Sequence, residues 1–157
     1  MDVQNIINKL NWFYMLELMQ VDSYINQSRL SKNPQIRHAL ERFAYIEQQH
    51  ANNIRHQLAR FGAKPNPSAT VIPPWIGRIV GKTAPAMGEF LMLRLNISIE
   101  QKAKSDYLKF IDGVRDPYLL KMLWSHYIDE DLHATWMAKK SRQCIFKFIK
   151  PWKTVKR

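Results

Sequence analysis

The chain has 157 residues, 46% hydrophobic and 24% charged, a composition that suits one globular domain with its own core and argues against a disordered or multidomain chain. The formal charge of +11 suggests nucleic acid or an anionic membrane surface as a partner, yet eight basic residues and no acid lie between Lys139 and Arg157, leaving +3 for the first 138 residues. One cysteine, Cys144, excludes an internal disulfide and a Cys-x-x-Cys iron centre, so a redox metal would have to be held by histidine and carboxylate.

Residues Met1 to Leu10 include Asp2 and lack the apolar run of a signal peptide. No stretch reaches the ~20 apolar residues that span a bilayer. The expectation is a cytoplasmic protein, peripheral on a membrane. A first amphipathic helix is expected near 3–28, with the stripe Ile6, Leu10, Phe13, Glu17, Val21, Tyr24. Asn33-Pro34 opens a second, near 34–61, with the stripe Ile36, Leu40, Phe43, Glu47, His50, Ile54, Leu58, Phe61; proline suits a first helical turn and biases its predecessor out of helix. Residues 62–85 hold Gly62, Pro65, Pro67, Pro73, Pro74, Gly77, Gly81 and Pro85, too many breakers for one regular element, and read as a crossover with a short helix.

The third helix, near 86–112, carries Phe90, Leu93, Ile97, Glu100, Ala103, Tyr107 and Ile111. After Asp116-Pro117 the fourth, near 117–142, carries Leu119, Leu123, His126, Glu130, His133 and Met137. These elements predict an all-α, up-down-up-down four-helix bundle over 1–142 with a long crossover between helices 2 and 3. A basic, aromatic tail, able to form another helix, follows over 143–157.

Each apolar stripe has an acid at its middle, where an isolated charge is costly. The intruders are Glu17, Glu47-x-x-His50, Glu100 and Glu130-x-x-His133, and the second set repeats the first 83 residues later. Tyr24 and Tyr107, and Pro34 and Pro117, keep the same offset. Glu and His three apart share a helix face, so a bundle would aim four carboxylates and two imidazoles at one interior spot, a set suited to two iron or manganese ions. The expected metal ligands are therefore Glu17, Glu47, His50, Glu100, Glu130 and His133. Tyr24 and Tyr107 are expected to hydrogen-bond a ligand carboxylate on a neighbouring helix. His126 reads as support for a ligand or as a satisfied core histidine, His38 and His56 as surface residues, and Asp129 and Asp131 as solvated charges, with contact to a ligand histidine as the alternative.

This pattern resembles the ferritin-like di-iron carboxylate proteins over about residues 5 to 140. The crossover, with Gly62-Ala63-Lys64-Pro65 and Ile72-Pro73-Pro74-Trp75, is similar to that of the demethoxyubiquinone hydroxylase family. Leu16 and Leu18 flank the first ligand where that family has a Gly-rich neighbourhood, and Asp106 precedes Tyr107 where it often has histidine. The resemblance implies a monooxygenase that hydroxylates a membrane-dissolved quinone-type ring, using two iron ions, dioxygen or peroxide, and an external electron donor.

The residues themselves support membrane contact. Val71 to Val80 is apolar with one Arg, and Cys144 to Lys153 interleaves aromatics with lysines; such segments suit a lipid interface. The competing readings are a rubrerythrin-like peroxidase or oxidase, ferritin-like iron oxidation and storage, and a tRNA hydroxylase. Nucleic acid ranks below lipid as a partner, and a homodimer is one option for assembly.

Overall fold

The computed structural model describes residues 1–66 and 88–149, which form four helices: α1 (Val3–Leu30), α2 (Pro34–Arg60), α3 (Glu89–Gly113) and α4 (Pro117–Ile149). No strand occurs among the described residues. The expected crossover helix, most of the crossover and the last eight residues of the tail lie outside them. The helix starts follow local chemistry. Asp2 caps α1 by accepting from the Asn5 N–H at 2.8 Å, and Asn33 caps α2 ahead of Pro34. Asp116 accepts from the Leu119 N–H at 2.7 Å ahead of Pro117, so each cap satisfies donors that the first turn leaves open. α2 ends where Gly62 takes a positive φ of 72°, which lets the Ala63 N–H reach back to the Leu58 carbonyl at little steric cost.

α1 packs chiefly on α2, and α3 on α4, as two hairpins. Two apolar clusters close the ends of the bundle. One joins Ile6, Leu10 and Phe13 of α1 to Ile54 and Leu58 of α2, Tyr107 and Phe110 of α3, and Leu119 and Leu123 of α4. The other joins Tyr24, Ile36, Leu40, Phe43, Leu93, Ile97 and Met137. The beginnings of α1 and α4 thus share an end with the finishes of α2 and α3. The expected alternation of direction holds within each hairpin, while α2 and α3, joined by the crossover, run the same way. A helix of 27 residues is ~40 Å long, and the residues between Arg60 and Glu89, at up to ~3.3 Å each, have ample reach to return along it. The fourth helix continues to Ile149, into the segment expected as a separate tail.

Contacts between the hairpins fix their register. Glu89, in the first turn of α3, accepts from the Ser31 hydroxyl and the Asn33 N–H in the α1–α2 turn. Arg60 pairs with Asp116 at 3.2 Å. Inside one end, Phe13 stacks on Phe110 with ring centroids 5.8 Å apart. At the positions offset by 83 residues, Gln27 and Asn96 instead form a buried amide pair with hydrogen bonds of 2.6 and 3.2 Å.

Candidate metal centre

Between the two apolar clusters the bundle axis is polar. Glu17, Glu47, His50, Glu100, Glu130 and His133 each show 2% exposure or less. Mid-helix placement on core-facing stripes brings the six together as the spacing predicts. His50 Nδ1 lies 3.0 Å from Glu47 Oε2, 3.5 Å from Glu130 Oε1 and 3.6 Å from Glu17 Oε2. Its counterpart, His133 Nδ1, lies 3.0 Å from Glu47 Oε1, 3.8 Å from Glu130 Oε2 and 3.6 Å from Glu100 Oε1. Glu47 and Glu130 therefore turn one oxygen to each histidine, whereas Glu17 and Glu100 each serve one side.

Two sets of four follow, Glu17, Glu47, His50 and Glu130, and Glu47, Glu100, Glu130 and His133, each with a ligand atom per residue within 4.8 Å of the others. Despite these short approaches, Glu17 Oε2, both oxygens of Glu47 and of Glu130, His50 Nδ1 and both nitrogens of His133 make no hydrogen bond of proper geometry. Buried polar atoms are seldom left so. Seven of the eight, all but the outward Nε2 of His133, lie in one place, and as lone-pair donors, or atoms able to become so, they suit cations: four carboxylates and two neutral imidazoles offset the charge of two divalent ions. Mixed oxygen and nitrogen donors are a set that iron accepts.

The surrounding residues hold this set in place. The Tyr107 hydroxyl donates to Glu17 and the Tyr24 hydroxyl to Glu100, each across to a carboxylate on another helix. Gln20, one turn beyond Glu17, reaches Glu100 Oε2 at 3.4 Å. His126 is fully buried. It stacks on His50 with centroids 3.8 Å apart, and its nitrogens meet the Tyr107 hydroxyl at 3.1 Å and the Asn53 amide at 3.4 Å. His38 and His56 are exposed.

Asp131 pairs with Lys104. Asp129 departs from the expected solvated charge: its Oδ2 lies 3.1 Å from His50 Nε2, on the far side of the ring from the carboxylates. Position 129 is off the face of Glu130, but the ring of His50 on α2 projects to meet it. The one signal in the sequence was the repeat, which has Asp129 where the first half has Ile46.

With no cation, protons hold the cluster together. Burial, reinforced by the charge of Glu130, pushes the Glu100 carboxyl up to about 8, and burial likewise raises Glu17 well above the usual range. Burial alone would lower His133, but the carboxylates of Glu100, Glu130 and Glu47 outweigh it and carry the imidazole up to about 12. His50 is raised for the same reason, with Asp129 its largest support. Glu47 and Glu130 go down despite burial, because both imidazoles face them. His126 falls well below its ordinary value through burial and the charge of His50, and so is neutral.

No protein-family model matches the sequence, and no curated protein does either. Among solved structures, the chain is similar to the dodecameric thioferritin of Bacteroides fragilis, a bacterioferritin-related protein. That likeness has a TM-score of 0.76 at 17% identity and covers 96% of this chain and 92% of that one. The chain has the ferritin-like fold. At that identity the likeness speaks for the ferritin-like bundle alone, and the chemistry has to be argued from the centre itself. No described helix is long and apolar enough to cross a membrane.

Proposed function

We propose that this ferritin-like bundle holds two iron ions between Glu17, Glu47, His50, Glu100, Glu130 and His133, and acts as an oxidoreductase that reduces dioxygen or peroxide. The observation that carries this is the convergence of buried atoms without hydrogen-bond partners on one point of the axis. When bound, the ions supply two electrons, one from each. The protein's own contribution is positional. Glu47 and Glu130, with one oxygen toward each half, would hold the ions close together. Tyr107 and Tyr24 keep Glu17 and Glu100 aimed inward. The apolar clusters at both ends exclude bulk water.

The finer reaction is hydroxylation of a membrane-dissolved quinone-type ring. It is supported by the apolar Val71–Val80 stretch and the aromatic, lysine-rich end of the chain, with lysines meeting anionic headgroups. Iron oxidation is the second reading, favoured by the likeness to a thioferritin. Manganese is the alternative metal.

Metal analysis of anaerobically reconstituted protein, followed by exposure to dioxygen with and without liposomes carrying a quinone precursor, separates these readings. Two metals per chain and a hydroxylated lipid are expected. Two metals with peroxide turnover or ferric product and no lipid product would replace the hydroxylase with an oxidase or iron-oxidising protein. The Glu47→Ala variant is expected to lose metal and stability together, and unchanged stoichiometry in it would overturn the ligand set.

A further inference from the structure

The two halves of the centre are related by the 83-residue repeat, so departures from that repeat show where the halves are chemically unequal. The ligands and both tyrosines match. What stands behind the histidines does not. His50 has the Asp129 carboxylate 3.1 Å from its Nε2. His133 has Ile46 at the position corresponding to Asp129, and its Nε2 is buried without a hydrogen-bond partner. The ring packed against each histidine differs too. Against His50 it is His126, 3.8 Å away and hydrogen-bonded to the tyrosine that grips Glu17. Against His133 it is Phe43, 4.2 Å away, which has no polar atom to offer Tyr24.

A carboxylate behind an imidazole fixes its tautomer and ring orientation and makes the other nitrogen a stronger donor, an effect of ~10–100-fold in metal affinity. Resting on the dinuclear reading above, we infer that the two cation positions are unequal and that Asp129 makes them so. The position formed by Glu17, Glu47, His50 and Glu130 binds first and more tightly, and the one formed by Glu47, Glu100, Glu130 and His133 fills second and exchanges more readily. Asp129 is a positioning residue: it acts on the ion through His50.

The test is an anaerobic titration of metal-stripped protein with Co(II), followed by its visible absorption and by competition with a chelator. Wild type is expected to fill in two steps whose affinities differ by ~10–100-fold. Asp129→Ala should weaken the tighter step by that factor and bring the two together, while Asp129→Asn, whose amide oxygen can still accept from Nε2, should restore part of the gap. Ile46→Asp should tighten the second step. His133→Ala should keep the tighter step, and His50→Ala the weaker one. Two equal steps in wild type, or a gap unchanged in Asp129→Ala, would overturn the inequality while leaving the dinuclear centre standing. Failure of wild type to bind two Co(II) ions would overturn the dinuclear reading itself.

Discussion

The tyrosines offer the sharpest test at the scale of single residues. Tyr107 serves two buried partners, Glu17 and His126, whereas Tyr24 serves Glu100, which keeps a second contact from Gln20. Stranding a buried polar group costs about 1–3 kcal/mol. Tyr107→Phe is therefore expected to destabilise the metal-stripped protein more than Tyr24→Phe, by roughly 1 kcal/mol or more, as read from denaturant midpoints; equal losses would show that His126 finds another partner. The six candidate ligands could be read from the sequence because each interrupts an apolar stripe at a position its helical period sends to the axis. Asp129 was legible only as the alternative to a solvated charge, because its role depends on the direction of a ring on another helix, and helical period carries no information about that.

At the scale of helices, capping and the inter-hairpin contacts set the stability. Asn33→Ala removes the acceptor for the N–H groups of Gln35 and Ile36 and is expected to cost about 1 kcal/mol, lowering the melting temperature without altering metal content. Gln27→Leu should cost about 1–3 kcal/mol by stranding Asn96, and adding Asn96→Leu should recover most of it, since removing both partners leaves nothing unsatisfied. Four helices were legible from their apolar stripes, and the starts of the second and fourth because Asn33-Pro34 and Asp116-Pro117 are strong punctuation, whereas the third, expected near 86, begins at Glu89. The continuation of α4 was obscured by the change to a basic, aromatic composition at residue 143, although nothing before Pro151 forbids helix. The parallel run of α2 and α3 was beyond pattern reading, because a connection this long permits either direction.

For the whole molecule, the proton-loaded centre sets the pH response. Between 4.5 and about 8 the folded chain keeps a proton on Glu100 that the unfolded chain has released, and between 6.5 and about 12 it keeps one on His133. Folding takes up protons in both windows, so the stability of metal-stripped protein should fall as pH rises from 5 to 9. Bound cations must displace those protons, so stabilisation by metal should grow over the same range; thermal melting with and without Co(II) checks both slopes. The buried amide pair has a consequence for assembly. The hairpins repeat one pattern, so two copies of the first could dock as the first docks on the second. Gln27 would then meet Phe13 of the other copy instead of Asn96, twice over, with both amides stranded. Two copies of the second hairpin would set Asn96 against Phe110 in the same way. The polar pair thus acts as a lock that admits the unlike hairpin and rejects the like one, making a chain built from halves that repeat one ligand pattern close on itself.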